Sequence, residues 1–537
     1  MTSLLQELTD LQHRAGWLSH ADLEALAMRL GVPRHRLESL ASFYTHFRRS
    51  PAAATRVDVC RDLSCRLSAN PEAHSQFRAA MAARPATDVR EVSCLGLCDR
   101  APAARSGTHR FSTLPVQEAL ATLDGPRTAS GQQPIRVVDP AVLPALRADG
   151  YATLQRAVAQ NAESLRSEIS QAGLRGMGGA AFPTGRKWDL VADQPATPRY
   201  VICNADESEP GAFKDRAILA EFPHLVIEGI ALAARAVGAT KGWVFIRHEY
   251  DHERTILEDA ITDAVNAGAL GEGIFGSEFS FELEVFVSPG GYILGEETAL
   301  LECMEDRRGE PRNKPPLPGE VGLHGQPTLI NNVETFAHAA SILRHGCDWW
   351  VSRGRPGFSG HKFFSVSGDV REPGVVLVPF GTPLRELLDL SGGMLEDRPL
   401  VAFSPGGASS NFLGPDALEV PVDFDALQEA GSMLGSGSAV FIAEGHSLLE
   451  IGLNVTRFFH EESCGKCVPC RVGIQKALDR VGEATRLSDN DIELLSEIHA
   501  TLERTSLCGL GQVALAPLLS LIRTFPEELR EEPIPRG

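Results

Sequence analysis

The sequence lacks the marks of a nucleic-acid-binding or membrane-spanning protein. Its 51 Lys and Arg are outnumbered by 70 Asp and Glu, which gives a net charge of −19. A protein that mainly binds nucleic acid needs a basic face for the phosphate backbone, so this balance argues against that class. No run of about 18 or more apolar residues occurs. The most apolar stretch, residues 225–238, is short and contains Glu228 and Arg235.

A secretory signal is missing as well. Glu7 and Asp10 interrupt the N-terminal segment before an apolar core of useful length develops. The sequence therefore predicts a cytoplasmic chain without membrane insertion, a setting in which structural disulfides are rare. Cysteines that cluster in such a chain more often bind metal or carry out redox chemistry.

Length and composition predict several globular domains. At about 150 residues per domain, the 537 residues allow three or four domains. Hydrophobic residues make up 43% and charged residues 23%, a balance typical of folded domains rather than disorder. The predicted units are residues 1–125 (helices, then a small α/β domain), 126–140 (a polar linker), 141–357 (an α/β domain), 358–445 (a β-rich module) and 446–537 (a helical domain).

The second α/β unit alternates strands and helices, which predicts a largely parallel sheet covered by helices. Its predicted strands include 200–203, 243–247 and 282–287, and its predicted helices include 218–237, 250–267 and 295–304. In the β-rich module, one helix is predicted near Leu384–Leu390.

Four cysteines near the C-terminus have the spacing of an iron–sulfur ligand set. They form a C-x2-C-x2-C run with a distant fourth member: Cys464, Cys467, Cys470 and Cys508. Four thiolates hold such clusters, and tight loops let three sulfurs converge on one face. Structural zinc more often uses two separate C-x2-C pairs, and buried free thiols or disulfides compete with the cluster as well. The spacing favours a [4Fe–4S] cluster.

A second group of four cysteines lies in the first domain. It combines a C-x4-C with a C-x3-C spacing: Cys60, Cys65, Cys94 and Cys98. This pattern favours a [2Fe–2S] centre. Structural zinc is a stronger alternative here than it is for the C-terminal cysteines. The three remaining cysteines, Cys203, Cys303 and Cys347, lie among apolar neighbours and are predicted to be core thiols.

A glycine-rich segment, GLRGMGGAAFPTGRKW at 173–188, is the first candidate ligand site. Gly176, Gly178 and Gly179 allow the backbone to approach a bound group and expose its N–H donors. Lys187 follows at a distance suited to a phosphate. The segment is neither a Walker loop nor a dinucleotide G-x-G-x-x-G motif, so a plain surface turn is an equal alternative.

An acidic segment, CNADESEPGAFKDR at 203–216, follows a predicted strand directly. Asp206, Glu207 and Glu209 crowd at the carboxyl end of that strand, where α/β sheets place ligands. Such carboxylates accept hydrogen bonds from ribose or ribityl hydroxyls and repel an extra phosphate, which favours NAD over NADP. The alternative is a solvated acidic turn.

Two further segments carry groups suited to a nucleotide. PGGYILGEETAL at 289–300 places Glu296 and Glu297 at a predicted helix start, where charge complementarity with the helix N-terminus is the alternative explanation. NNVET at 331–335 supplies amides that both donate and accept, which suits a flavin or nucleotide edge.

Taken in order, these four segments and the cysteine motifs ESCGKCVPCRVG and SLCGLGQ resemble the NADH-binding flavoprotein subunit of respiratory complex I. They equally resemble the diaphorase subunits of NAD-dependent formate dehydrogenases and NAD-reducing hydrogenases. The resemblance covers about residues 140–530. Residues 1–125, with SFYTHF at 42–47 and the first-domain cysteines, resemble the companion thioredoxin-like [2Fe–2S] subunit. The chain thus resembles a fusion of the two proteins.

The resemblance implies a multidomain α/β fold and a set of cofactors. The fold would combine a thioredoxin-like [2Fe–2S] domain, a Rossmann-like FMN- and NADH-binding domain, a ubiquitin-like β-grasp module and a C-terminal helical bundle. The cofactors would be FMN, NAD(H), one [2Fe–2S] cluster on the first-domain cysteines and one [4Fe–4S] cluster on the C-terminal cysteines.

It also implies roles for the matching residues. Glu207, Glu209 and Glu297 would fix the nicotinamide end of NADH, with Glu209 and Glu297 as the catalytic residues. Phe182 would stack on the adenine. Gly295 and Thr335 complete the cofactor-binding set, and the residues implied to hold FMN are Gly176, Gly178, Gly179, Lys187, Asn204, Asp206, Tyr292, Glu296, Asn331 and Asn332.

Four positions depart from the family pattern. Met177 removes a positive charge from the glycine loop, and Ala181 replaces a glycine. Leu190 and Leu317 stand where aromatic packing against the adenine is common. These differences concern the strength of nucleotide binding and leave the class of chemistry unchanged.

The activity implied is that of an NADH:acceptor oxidoreductase, in which FMN exchanges hydride with NAD(H) and passes single electrons to the clusters. Since no substrate-oxidising molybdenum or nickel site is evident in the sequence, we expect a diaphorase subunit of a larger complex rather than a free-standing enzyme. The fusion favours a soluble formate dehydrogenase, whose molybdenum or tungsten alpha subunit would be the iron–sulfur partner. Hydrogenase subunits, the NADH dehydrogenase module of complex I, and a redox scaffold without flavin or turnover are the alternatives.

Overall fold

The structure is a computed structural model that describes residues 3–51, 53, 55–68, 71–124, 133–147 and 149–531. The first part of the predicted linker, residues 126–132, and the last residues of the predicted helical domain, 532–537, lie outside the described residues. The domain boundaries given above remain predictions.

Three helices open the chain: α1 (Leu4–Ala15), α2 (His20–Leu30) and α3 (Arg34–Phe43). Their leucines repeat at helical spacing, so that one face of each helix is buried. Ser19 accepts a hydrogen bond from the backbone N–H of Asp22 and thereby caps α2. The apolar faces join the hydrophobic core of the C-terminal helices rather than that of the first sheet.

The first sheet has four strands in the order β2-β1-β3-β4. Its elements are β1 (Thr55–Cys60), α4 (Leu63–Ser68), α5 (Pro71–Ala82), β2 (Thr87–Val92), β3 (Ala103–Ser106), β4 (His109–Ser112) and α6 (Val116–Asp124). Strand β1 runs parallel to β2 and antiparallel to β3. Cys60 ends β1 and Cys94 follows β2, so both cysteine loops leave the same end of this thioredoxin-like sheet.

The second sheet is fully parallel, in the order β8-β7-β6-β9. This part of the chain contains β5 (Arg136–Val137), α7 (Leu143–Leu146), α8 (Ala152–Ala157), α9 (Ala162–Gln171), α10 (Thr184–Ala192), β6 (Tyr200–Ala205), α11 (Lys214–Glu221), α12 (Pro223–Val237), β7 (Lys241–Arg247), α13 (Asp251–Asn266), β8 (Glu282–Ser288), α14 (Glu297–Met304), β9 (Thr328–Asn332), α15 (Val333–His345) and α16 (Cys347–Val351). Helices cover both faces, which is why the central strands are nearly continuous apolar runs. The parallel sheet predicted from the alternation of elements is confirmed.

One predicted helix is wrong in detail. Residues 218–237 form two helices, α11 and α12, which meet at Phe222 with an angle of 96° between them. Pro223 begins α12 because a proline lacks the N–H that would continue α11, whereas it fits the first turn of a new helix. The break turns the apolar helix α12 into the core.

The β-rich module forms a sheet in the order β12-β13-β10-β11-β5. Its own elements are β10 (His361–Gly368), β11 (Gly374–Pro379), α17 (Leu384–Leu390), β12 (Leu400–Ser404), α18 (Phe424–Glu429) and β13 (Ser438–Ala443). Helix α17 has the predicted bounds, and α18 was not predicted. The edge strand β5 comes from the segment predicted as a linker and pairs with Val376 and Leu377.

The C-terminal part is helical: α19 (Leu448–Glu461), α20 (Val468–Val481), α21 (Asp489–Thr505), α22 (Gly509–Val513), α23 (Ala516–Thr524) and α24 (Pro526–Leu529). Ser488 and Asp491 form a capping box at the start of α21.

Among the described residues, no single helix is long and apolar enough to span a membrane. Within that part of the chain, only α11 and α12 taken together have the length and apolar composition of a membrane-spanning segment, and the pair is sharply bent.

Candidate active site

A cleft opens at the carboxyl ends of β6 and β9, beside the glycine loop. It consists of two cavities of about 400 Å³ and about 330 Å³. The cavities adjoin, since six residues line both: Gly178, Ala180, Asn204, Gly295, Glu296 and Asn332. Every cofactor contact predicted from the sequence lines one cavity or the other. Ligand sites for mid-sized organic molecules have volumes of about 300–1,000 Å³, so the cleft suits a mononucleotide with part of a second one.

The glycine loop lies close against the strand end that carries the paired asparagines. A Cβ on Gly178 would stand 3.0 Å from the Cβ of Asn332, and Gly179 has a φ of +115°. Thr335 accepts a hydrogen bond from the backbone N–H of Met177 at 2.9 Å and holds the loop in place. The glycines therefore allow the loop to pack closely against Asn332 and Gly435 beside the cleft.

The acidic segment contributes a free acceptor at Asp206. One carboxylate oxygen of this buried residue accepts from Ser208, while the other, Oδ2, has no partner within the described structure. Burial raises the pKa of Asp206 to about 7. An orphaned buried oxygen on the wall of a cavity is the feature expected where a ligand hydroxyl donates.

The carboxylate of Glu207 is engaged in hydrogen bonds with other residues of the protein. Its oxygens accept from the backbone N–H groups of Asp215 and Arg216, at 3.0 and 3.1 Å, and from the Tyr250 hydroxyl at 3.1 Å. Burial raises the pKa of Glu207 to about 7. The residue thus anchors the acidic segment to α11 rather than presenting a free carboxylate to the cleft.

Glu209 is held by the β-grasp module. Its Oε1 accepts from the Ser409 backbone N–H at 2.8 Å and from the Ser409 hydroxyl at 2.5 Å. Burial raises the pKa of Glu209 to about 7, against the opposing effect of these hydrogen bonds. The loop after β12 therefore forms part of the active-site wall.

The two glutamates of the third segment have different functions. Glu296 caps α14 by accepting from the N–H groups of Thr298 and Ala299, as the alternative explanation foresaw. Glu297 pairs with Lys187 at 3.2 Å and with Lys314 at 3.0 Å. Burial acts to raise the pKa of Glu297, but the two ammonium groups outweigh it and hold the pKa below its ordinary value. Glu297 is therefore an ionised carboxylate at neutral pH.

The four first-domain cysteines are buried and in mutual contact. The sulfurs of Cys94 and Cys98 lie 3.7 Å apart, close to the edge of a tetrahedron around a metal with bonds of about 2.3 Å. Backbone N–H groups donate to sulfur from Gly96 (3.4 Å, to Cys94) and Ala103 (3.3 Å, to Cys65). Such donors stabilise thiolates and tune cluster potentials. This set fits a [2Fe–2S] cluster.

The C-terminal cysteines converge between α20 and α22, and Cys508 lines the cleft itself. Gly465, with φ +74°, makes the turn after Cys464, and Cys467 precedes the first turn of α20. Burial, followed by the charges of its three companions, raises the pKa of Cys470 to about 12. A cluster on these ligands would lie directly beside a ligand in the cleft.

All eleven cysteines are free thiols in the structure. Cys203 and Cys303 are core thiols as predicted, but Cys347 is only half-buried at the start of α16.

Several lining residues were missed by the sequence analysis. The β-grasp loops contribute Ser409, Met433, Gly435 and Ser436, and the loop after α14 contributes Lys314. No local signal marks the first four, because they reach the cleft through long-range packing. Lys314 lies in a basic, proline-rich segment, KPPLPG, that could have been noted.

Two of the four departures from the family pattern, Leu190 and Leu317, line the cleft, and the other two lie in the glycine loop beside it. Met177 is buried, and Ala181 adopts a φ of +54°, a conformation that a glycine would adopt with less strain. Leu190 and Leu317 line the larger cavity together with Phe182, whose ring is 40% exposed and free to stack on a base. This part of the larger cavity is therefore lined by one aromatic ring and two aliphatic side chains.

Four family models match the chain. They are the Nuo51 FMN-binding domain over residues 169–341, the SLBB domain over 363–411, the iron–sulfur binding region of NADH-ubiquinone oxidoreductase-F over 450–532, and the thioredoxin-like [2Fe–2S] ferredoxin over 1–125. With the cleft and the two cysteine sets, they define a flavin- and iron–sulfur-dependent oxidoreductase that binds FMN, one [4Fe–4S] cluster and one [2Fe–2S] cluster.

Relatives narrow this class to a family. The chain is 42% identical over 384 residues to a NADH-quinone oxidoreductase F subunit of Rhizobium meliloti, covering 71% of this chain and 91% of that one. It is 40% identical over 385 residues to the NADP-reducing hydrogenase subunit HndC of Solidesulfovibrio fructosivorans, covering 71% and 78%. A crystal structure of NAD+-reducing [NiFe]-hydrogenase matches with a TM-score of 0.87 at 30% identity, covering 99% of this chain and 94% of that one.

The chain belongs to the family of the NADH-quinone oxidoreductase F subunits, fused here to the thioredoxin-like [2Fe–2S] protein. It is an NADH:acceptor oxidoreductase module of the kind used in complex I and in NAD-reducing hydrogenases.

Proposed function

We propose that the chain is the diaphorase subunit of a cytoplasmic, NAD-dependent formate dehydrogenase. The observation that carries the catalytic part of this proposal is the cleft, which collects every predicted cofactor contact and has Cys508 in its wall. When bound, FMN takes two electrons as hydride and the clusters carry them singly. The residues below bind and orient the reactants, and none is required as a general acid or base.

The FMN would lie over the glycine loop. Gly176, Gly178 and Gly179 line the cleft with backbone alone, and Lys187 offers a cation at its rim. The unpartnered Oδ2 of Asp206 would accept from a ribityl hydroxyl.

The nicotinamide end of NADH would meet Glu209 and Glu297, and the adenine would stack on Phe182. Both glutamates present a carboxylate to the cleft, held by Ser409 in one case and by two lysines in the other. Glu207 would act as a positioning residue, because its carboxylate is tied to α11.

Electrons would leave through the C-terminal cluster to an iron–sulfur subunit of the partner. Cys464 and Cys467 are only half-buried, so this cluster lies near the surface. Val468 and Val472 stand next to them on α20 and are 59% and 51% exposed. We propose that this edge of α20 contacts the partner subunit, since electron transfer requires close approach.

The identity of the second substrate is a separate proposal. The fusion to the [2Fe–2S] domain favours a formate dehydrogenase or a hydrogenase over complex I, because the NADH-quinone oxidoreductase relatives match about 71% of this chain. The match of nearly the whole chain to an NAD+-reducing [NiFe]-hydrogenase favours the hydrogenase as the second candidate.

Purification of the native complex through a tag on this chain distinguishes the candidates. A formate dehydrogenase would contain molybdenum or tungsten and would reduce NAD+ with formate. A hydrogenase would contain nickel and would reduce NAD+ with H2. Nickel with H2-dependent activity and no formate activity would overturn the formate proposal while leaving the diaphorase role intact.

A further inference from the structure

A separate cavity of about 260 Å³ lies between the thioredoxin-like domain and the flavin-binding domain. Ser208 and Tyr292 line both this cavity and the cofactor cleft, so the two spaces are neighbours. Ser93 and Cys94 line it on the cluster side. Its most prominent feature is a set of six arginines: Arg48, Arg56, Arg61, Arg90, Arg105 and Arg247.

Most of the charged side chains around this cavity already pair with a side chain of opposite charge. The carboxylates in its wall are Asp58, Glu91, Glu249, Glu461 and Glu462. Their ion pairs are Arg56–Asp58 (2.6 Å), Arg247–Glu249 (2.9 Å), Arg61–Glu461 and Arg78–Glu91, while Arg105 pairs with Asp251 (2.7 Å) and Glu462 accepts from the Tyr292 N–H (2.7 Å).

Two arginines are left without a counter-ion of their own. The guanidinium of Arg48 has no hydrogen bond or ion pair within the described structure, and its Nε is buried without an acceptor. Arg90 reaches Asp58 only at 3.9 Å, and Arg56 already holds that carboxylate. Burial, and next the charge of Arg56, lower the pKa of both Arg48 and Arg90. Asp58 and Asp88 carry the opposite charges that act on both arginines, so three guanidiniums share two carboxylates.

Half-buried, uncompensated cations are costly unless an anion joins them. Arginine forks match tetrahedral oxyanions well, since each can donate two parallel N–H bonds to phosphate. The cavity volume also limits the ligand. With about 30 Å³ per water, the space takes a phosphate ion and several waters, and it falls below the range of nucleotide-sized sites, which begins at about 300 Å³.

We propose that this cavity binds inorganic phosphate through Arg48, Arg56 and Arg90. A dianion here lies beside a ligand of the [2Fe–2S] cluster. Since net charge near a cluster sets its reduction potential, bound phosphate makes the added electron less favourable and lowers that potential. Phosphate thus controls how readily the [2Fe–2S] cluster holds an electron supplied through the flavin.

Isothermal titration of the holoenzyme with inorganic phosphate, in chloride buffer of constant ionic strength, tests binding. One saturable site is expected. Arg48→Gln and Arg90→Gln should each weaken it at least about tenfold, because each removes a charged hydrogen-bond donor. Arg371→Gln is the matched control, since Arg371 is exposed and pairs with Asp397 elsewhere. Absence of a saturable site, or equal affinity in the double variant, would overturn the proposal.

Stability gives a second readout that separates binding from misfolding. Without phosphate, the double variant R48Q/R90Q should melt at a higher temperature than the wild type, because like-charge repulsion is relieved. Phosphate should raise the melting temperature of the wild type and leave that of the double variant unchanged. A double variant that melts lower and still responds to phosphate contradicts the assignment.

Redox titration followed by EPR tests the functional consequence. Phosphate should shift the wild-type [2Fe–2S] cluster to lower potential and leave the R48Q/R90Q cluster where it is. The same shift in both proteins would indicate a bulk salt effect and overturn the role. AMP serves as a further arm: AMP binding tighter than phosphate would assign the site to a nucleotide and overturn the inorganic assignment.

Discussion

At the scale of single residues, three buried carboxyl groups set the response of the site to pH. Burial raises the pKa values of Asp206, Glu207 and Glu209 to about 7 each in the ligand-free chain. Each folded-state pKa lies above that of the unfolded chain, about 4. Their contribution to stability is therefore fully present below about pH 4 and is lost as the pH rises through about 7.

Glu209→Gln tests the carboxylate proposed to meet the nicotinamide. As the pH falls below about 7, the wild-type KM for NADH should rise, because a protonated Glu209 is neutral and accepts more weakly from the carboxamide. The variant should have a raised KM that changes less with pH and should retain its flavin. Glu258→Gln, an exposed change on α13, is the control and should keep the wild-type profile. An unchanged KM in the Glu209 variant contradicts the role.

Residue-level prediction from sequence succeeded where the chemistry is local. The cysteine spacings placed eight thiols into two sets, and the structure brings each set together. The sequence does not show which residues donate hydrogen bonds to the carboxylates of Glu207 and Glu209. Ser409 follows Glu209 by 200 residues, and only the packing of the β-grasp module brings the two together.

At the scale of elements, the loop after β12 positions an active-site carboxylate, that of Glu209. Ser409→Ala removes one of the two donors that hold Glu209. A hydrogen bond to a charged group contributes about 1.5–3 kcal/mol, so the pKa of Glu209 should rise further and the KM for NADH at pH 7 should increase several-fold. Ser496→Ala, on the exposed side of α21, is the matched control. A normal KM and pH profile in the Ser409 variant would show that the loop does not position Glu209.

The exposed edge of α20 makes a second prediction at this scale. The double change Val468→Glu and Val472→Glu should abolish copurification of the partner subunit, because it places two charges where we propose an apolar contact. NADH oxidation with an artificial acceptor should remain, since the cleft is untouched. Val265→Glu, at a residue that is also 51% exposed, is the control on α13. Retention of the partner in the double variant would move the interface elsewhere.

Helices and strands could be predicted from the sequence where the apolar pattern is regular. The alternation of apolar strands with helices was sufficient for the parallel sheet. The single helix over 218–237 ignored Pro223, although a proline inside a helical pattern ends the helix before it. Strand β5 could not be predicted from the sequence, because a two-residue strand has no periodicity and exists only through pairing with β11.

At the scale of the whole molecule, buried arginines join the [2Fe–2S] domain to the active site. Arg216 donates to the Gly96 carbonyl and pairs with Asp99, each at 2.7 Å. Arg247 donates to the carbonyls of Cys94 and Glu207, at 2.6 and 2.5 Å. One cluster ligand and the acidic segment are thus held by the same guanidinium, which fixes the distance between cluster and cleft.

Arg216→Gln should destabilise the protein by up to about 3–5 kcal/mol, because it leaves the buried Asp99 carboxylate with only the more distant Arg100, at 4.0 Å. Chemical denaturation measures the loss, and the EPR signal of the [2Fe–2S] cluster should broaden as its loop loosens. The double variant Asp99→Asn with Arg216→Gln should recover much of the stability, since no buried charge is then left alone. A single variant as stable as the wild type would show that the pair does not hold the domains together.

The order of the domains could be predicted because each domain carries sequence motifs of a known family. The way in which the modules dock was not, since it depends on pairs such as Arg216 with Asp99 that lie 117 residues apart and carry no local signal.

Anaerobic addition of NADH to the purified chain alone, followed by flavin absorbance and cluster EPR, tests the central claim most directly. The account predicts that NADH bleaches a bound flavin and that electrons then appear on the [4Fe–4S] and [2Fe–2S] clusters without any partner. A protein that carries clusters but no flavin and does not oxidise NADH would contradict it and would leave a redox scaffold in its place.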